Sequence, residues 1–204
     1  MPVWIVTMSQ ELLGDLAAWL RRQPVALAPG QSEITHSADL RLAIMALAAT
    51  ELIAEGLLDV ILPIPLRIVH VLWMVLIAVL ALGIIAGIAR RPHLLDGEAL
   101  LLRAGPLGEI SVPLNAIAAP RLEMRATRGF GVRKATGDTA AAVCAIGGTT
   151  QIVIDLDVPV PVRLRNGTTI DVRQVLLAAD YPSKAVSHIR VALAEAKAQQ
   201  GAQA

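Results

Sequence analysis

The sequence predicts a membrane α-helical hairpin followed by an all-β domain of about seven antiparallel strands capped by a C-terminal helix. Three observations carry that expectation. From Ile68 to Ala89 the chain has 22 residues with His70 as the only ionisable group, against the roughly 20 apolar residues needed to cross hydrocarbon. A second oily stretch, Leu42 to Pro63, precedes it directly. From Leu94 onward the pattern changes to short alternating segments punctuated by Gly, Pro and Asn, the mark of strands and turns.

Composition narrows the function classes. A hydrophobic fraction of 55% with only 2% aromatic residues, and a mean hydropathy of +0.60, fit a chain with membrane segments. The formal net charge of +1 argues against nucleic acid as a partner, which needs a strongly basic face. Cys144 is the single cysteine, so an intramolecular disulfide and a thiolate metal cluster are both excluded, and its expected role is that of a small buried hydrophobe. "MPVWIVTMSQ" lacks the positive start of a secretory signal peptide. The expected division is an N-terminal amphipathic helix and linker over 1–35, a two-helix transmembrane hairpin over 36–93, a cytoplasmic β domain over 94–197 and a disordered tail over 198–204.

The first element, residues 4 to 22, has Thr7 and Gln10 placed for a capping box. Met8, Leu12, Leu16, Trp19 and Leu20 recur at helical spacing, and Arg21 and Arg22 suit the C-terminal dipole. Such a helix lies in the membrane interface or packs on the soluble domain. The first hairpin helix begins near Ser37, a suitable N-cap with Asp39 in its first turn, and runs to about Leu62, where Pro63 and Pro65 break it. The second follows at once and carries Gly83 and Gly87, a GxxxG pair that lets another helix approach closely, within the hairpin or from a second copy. Arg41 flanks one end of the hairpin and Arg90 and Arg91 the other, whereas the connecting loop offers only Arg67. The positive-inside rule therefore puts both termini in the cytoplasm. A helix lying flat on the bilayer remains the alternative for the first of the pair.

Glu51, Glu55 and Asp59 interrupt that first helix at spacing i, i+4, i+8, which places them on one face. An ionised acid at mid-bilayer costs roughly 2.5 to 3.5 kcal/mol, while each Leu or Ile returns about 0.3 to 0.6. These groups need protons, partners or water. Counted outward from Pro65, Asp59 and His70 fall at equal depth with Arg67 close by, so His70 and Arg67 are its expected partners. Glu55 and Glu51 fall opposite apolar residues near Val75 and Val79 and have no partner in the second helix.

In the β region, "EALLLRAG", "GEISVP" and "AIAAPRLEM" are three strands. "TAAAVCAI" and "TQIVIDLD" flank a Gly147-Gly148 turn, and "PVRLR" and "TTIDVRQV" flank Asn166-Gly167, a hairpin signal. A helix from near Pro182, burying Val186, Ile189 and Leu193, closes the domain. The stretch "LLLRAGPLGEISVPLNAIAAPRLE" resembles the opening of the bacterial PH-like domains of actinobacterial-type membrane proteins, and the whole chain is similar to uncharacterised two-span proteins bearing such a domain. The resemblance covers roughly Leu94 to Ala196 and implies a PH-like fold. Eukaryotic PH domains often hold phosphoinositides through bases in the first strand-turn-strand; here "RAGPLGE" offers only Arg103, so no ligand residue carries over.

Two further clusters stand out. Arg121, Arg125, Arg128, Arg133 and Lys134 surround Phe130 in "RLEMRATRGFGVRK", a set suited to an anionic bilayer surface or to a solvated strand pair. His36, Asp39 and His93 bracket the hairpin as weak metal-ligand candidates without HxxxH or ExxH spacing. Ser183 near Asp180, and Ser187 beside His188, lack the frame of a known catalytic motif, and Asp155 and Asp157 share one strand face. The expected role is a non-catalytic, membrane-anchored interaction or assembly module in a bacterial inner membrane, without cofactor, contacting the lipid bilayer and a protein partner or a second copy through its helices. The alternative is a small ion- or proton-translocating subunit using the intramembrane carboxylates.

Overall fold

The computed structural model describes residues 3–138 and 140–203, with the side chains of residues 3–11, 106, 200, 202 and 203 outside the described set. Thr7, Met8 and Gln10, and with them the expected capping box, therefore lie outside the described residues. The chain divides into two compact units, one of residues 1–24 with 39–90 and the other of 25–38 with 91–204.

The first unit is helical. α1 spans Val3–Leu20, α2 spans Ala38–Ile61 and α3 spans Ile64–Ala89. α3, at 26 residues with a mean hydropathy of 2.9 over its most apolar stretch, is the one helix among the described residues long and apolar enough to cross a membrane. α2 is nearly as long, at 24 residues, but carries Asp39, Arg41, Glu51, Glu55 and Asp59 and buries none of its residues. The break between α2 and α3 falls at Pro63, which caps α3, with Pro65 accommodated in the first turn, where a missing N–H costs nothing. The expected helix start after Pro65 is thus corrected by one turn. Among the described residues Arg67 pairs with carbonyls and no carboxylate: its Nε donates to Leu62 O at 3.1 Å and its Nη2 to Val60 O at 3.3 Å, satisfying carbonyls that the end of α2 leaves open.

The GxxxG pair packs against α1. A Cβ on Gly83 would stand 3.8 Å from Leu12 Cβ, and one on Gly87 would stand 3.5 Å from Leu12 Cδ2. Arg90 adds an ion pair to Asp15 at 3.7 Å and a hydrogen bond to Gln23 O at 2.8 Å. Small residues here let two backbones approach, as they do in membrane helix pairs. Gly87→Leu is expected to cost about 1–3 kcal/mol through overpacking and to lower the thermal midpoint in detergent, whereas Gly56→Leu, with open space around it, leaves that midpoint unchanged. Equal behaviour of the two variants would remove α1 as the partner of the glycine pair.

The second unit holds nine strands among the described residues: β1 (Ser32–Ile34), β2 (His93–Leu95), β3 (Ala99–Arg103), β4 (Glu109–Pro113), β5 (Ile117–Ala126), β6 (Gly131–Lys134), β7 (Ala141–Ala145), β8 (Thr149–Arg163) and β9 (Thr169–Leu177). They form a four-stranded sheet in the order β1-β2-β3-β4 and a five-stranded sheet in the order β5-β8-β9-β7-β6. β7 lies parallel to β9, and the remaining ladders are antiparallel. This corrects the expected seven antiparallel strands. β8 fuses two expected strands, because a register shift between Asp155 and Val160 absorbs the Val158–Pro161 stretch without ending the ladder. β1 and β2, at three residues each, are too short to show alternation, and β6 was hidden in the basic segment.

β5 and β6 are opposite edges of their sheet yet are joined by residues 127–130 alone, so the sheet must curl. Gly131 makes the turn: at φ +83° its missing Cβ would lie 2.6 Å from Leu107, a position closed to any side chain. α4, Pro182–Gln203, buries Ala185, Val186, Ile189 and Leu193 against this β core and continues through most of the segment expected as a disordered tail. The β8–β9 hairpin turns at Asn166-Gly167, where Leu164 and Thr168 close the turn at 2.8 Å.

Candidate functional site

On α2, four-residue spacing stacks Glu51, Glu55 and Asp59 one turn apart, about 6 Å per step. From α3, His70 enters between two of them. Its Nδ1 lies 3.3 Å from Asp59 Oδ1, and its Nε2 is in hydrogen-bond contact with Glu55 Oε2. The side chains of His70, Glu55 and Asp59 are 11%, 18% and 31% exposed, so protein already shields the imidazole. Glu55 thus has a partner, contrary to expectation, and the reason is the helix start. With α2 ending at Ile61 and α3 starting at Ile64, Glu55 and His70 each lie six residues from the turn and are level. Counting from Pro65 shifts the match by one helical turn and finds Asp59 alone.

The arrangement has a protonic consequence. A neutral imidazole carries one N–H, and an ionised carboxylate only accepts. Both contacts are made when one further proton is present, on the ring or on a carboxyl. Three groups therefore share that proton, and uptake at Nδ1 from Asp59 with release of the Nε2 proton to Glu55 carries one proton along α2. Glu51, one turn further from the loop, is exposed and has no hydrogen-bond or ion-pair partner among the described residues.

The structure disperses the expected basic cluster. Arg121 pairs with Glu123 and, at 2.7 Å, with Asp155; Arg125 pairs with Glu123 at 2.5 Å. Arg133 is spent on the turn, donating to Arg128 O at 2.6 Å, Gly131 O at 2.9 Å and Thr127 Oγ1 at 3.0 Å. Arg128, Phe130 and Lys134 remain exposed. Asp155 also accepts from Gln174 at 2.7 Å.

His36 and His93 come together, but as a packed pair. Their rings stack at 4.2 Å between centroids, and they are 3% and 1% exposed. His36 meets Ser37 Oγ at 2.6 Å and Arg91 O at 3.1 Å. His93 Nδ1 accepts the Arg103 N–H at 2.9 Å and its Nε2 donates to Ala178 O at 3.2 Å, so this ring is held neutral. Burial first, then the neighbouring His36, push its pKa well below 6.5. Ring nitrogens so engaged have no lone pair left for a metal. Asp39 is exposed in the first turn of α2, and among the described residues no group of three or more His, Cys, Asp or Glu could hold a metal ion. The expected N-cap, Ser37, instead has φ +66°, and the Ala38 N–H is bound by Asp180 Oδ1 at 2.7 Å. Burial pushes the Cys144 thiol up to about 12, leaving it an inert hydrophobe.

No protein-family model, no curated protein and no solved structure matches the chain. The chain combines a helix long and apolar enough to cross a membrane with a two-sheet β unit closed by a C-terminal helix.

The expectation of a passive assembly module is corrected here. Its basis was a set of glutamates with no partner in their own chain, and Glu55 and Asp59 instead engage His70 beside the candidate span.

Proposed function

We propose that the chain is a small proton-translocating membrane subunit in which Asp59, His70 and Glu55 pass a proton along α2 toward Glu51. The observation that carries this is the imidazole with a carboxylate on each ring nitrogen. A relay of this kind needs groups that exchange protons at short range, and imidazole between two carboxylates supplies them. A metal cation is a poorer cargo: Ca²⁺ takes six to eight oxygens, and here the carboxylates are already turned to the ring.

In this proposal α2 inserts beside α3 as the second arm of a hairpin. Support comes from its apolar residues Leu47, Ile53, Leu57 and Val60, all exposed, and from the counter-group that α3 offers its acids. Two such helices form a path only by assembling, so the active unit is taken to be a homo-oligomer. Both termini are placed in the cytoplasm of a bacterial cell on the strength of Arg41, Arg90 and Arg91, and the β unit, PH-like by its "GEISVPLNAI" motif, lies on that side.

The test is flux. Purified protein in liposomes containing a pH-sensitive dye, driven by a potassium diffusion potential, should acidify or alkalinise the lumen faster than protein-free liposomes. Equal rates at every imposed potential would end the proposal.

A further inference from the structure

The internal pairing of Arg121, Arg125 and Arg133 leaves a different surface from the one the sequence suggests. Three apolar side chains stand out at one end of β5 and in the turn after it: Leu122 is 55% exposed, Met124 is 77% exposed and Phe130 is 54% exposed. Leu122 and Met124 stand two apart on an edge strand, outside the shelter of the core. Three bases of this segment and of the hairpin beside β6 have no side-chain hydrogen bond or ion pair among the described residues. Arg128 and Lys134 are exposed on either side of Phe130, and the Arg165 N–H binds Val132 O at 2.9 Å, which brings the β8–β9 hairpin tip and its exposed Arg165 against β6. The nearest acid along the chain, Glu123, is held by Arg121 and Arg125, and Asp138 is turned to the Ala140 N–H at 2.9 Å.

Apolar tips set among unpaired bases match a surface that is negative outside and oily beneath. Chain length argues for the same occupant. α3 ends at Ala89 and β2 begins at His93, so three residues, about 10–14 Å of extended chain, separate the candidate span from the β unit. A bilayer crossed by α3 is thus within reach. We infer that Leu122, Met124 and Phe130, flanked by Arg128, Lys134 and Arg165, form a docking surface for the anionic face of a lipid bilayer.

The inference is independent of proton translocation and is tested on the full chain in nanodiscs. Phe130→Cys carries an environment-sensitive fluorophore, since Cys144 is buried and unreactive. In nanodiscs of mixed phosphatidylglycerol and phosphatidylcholine, brominated acyl chains should quench the probe. In pure phosphatidylcholine, or with Arg128, Lys134 and Arg165 changed to Gln, the docked-to-free ratio should fall about fivefold per base removed, and high salt should act likewise. A control probe at Gly137, also exposed but outside the patch, should stay unquenched. A probe at 130 that brominated chains leave unquenched in anionic nanodiscs, whether bare to water or covered by protein, would overturn the inference. So would quenching indifferent to lipid charge and to the three Gln substitutions.

Discussion

Liposomes carrying His70→Leu are expected to move protons no faster than protein-free liposomes, a loss of at least about 100-fold, the usual scale for removing a positioned acid–base group. Leucine fills a similar space and keeps α3 apolar, so the helix should persist while both carboxylates lose their shared partner. Glu55→Gln should be nearly as severe, because it removes the exchangeable group at His70 Nε2. Asp59→Asn should slow uptake less, given its longer contact of 3.3 Å, and Glu51→Gln should affect only the onward step. Arg67→Gln should act indirectly, by freeing the carbonyls of Val60 and Leu62 and loosening the turn that sets the level of His70. Particle size in detergent separates the readings: unchanged size with lost flux supports the relay, whereas dissociated particles in the Gln and Asn variants would mean the acids hold copies together instead.

The second large effect concerns acid. His93 is neutral in the folded unit and has its pKa well below 6.5, while the unfolded chain takes up a proton near 6.5. The folded form therefore binds fewer protons below that pH. Stability is fully present above about 6.5, the unfolded value, and is lost progressively as pH falls below it. Protonation at Nδ1 would also set an N–H against the Arg103 N–H that it now accepts, beside the stacked His36. Chemical unfolding of the β unit followed from pH 7 to 4.5 should show the midpoint falling steeply, and His93→Gln should be weaker at pH 7 but flatter in this range. A midpoint that holds constant from pH 7 to 4.5 in the unaltered protein would contradict the neutral, buried assignment.

Much of this molecule was legible where local chemistry decides. The run through α3 is set by hydropathy alone, and the Asn166-Gly167 turn by the φ > 0 that a tight hairpin needs. The basic segment shows where local reading stops. Its charges are close in sequence, but Glu123 lies among them and pairs with Arg121 and Arg125, β5–β8 pairing brings Asp155 to Arg121, and Arg133 is spent on oxygens of its own turn. β1 and β2 owe their existence to each other, through Ser32 opposite Leu95 and Ile34 opposite His93, residues separated in the chain by two long helices. The acidic stripe was visible as a stripe, but its partner depended on whether Pro65 ends a loop or opens a helix. Proline is at home in either place, and one turn of difference moved His70 from Asp59 alone to Glu55 and Asp59 together.

The most direct measurement is ¹⁵N nuclear magnetic resonance of the histidine side chains in the lipid-reconstituted protein, with His70 assigned by its loss in His70→Gln. If the ring is shared as described, both nitrogens will carry hydrogen-bonded shifts; Glu55→Gln will move the Nε2 signal and Asp59→Asn the Nδ1 signal. A His70 spectrum that neither substitution alters would mean the imidazole does not stand between the two carboxylates, and the relay would have no basis.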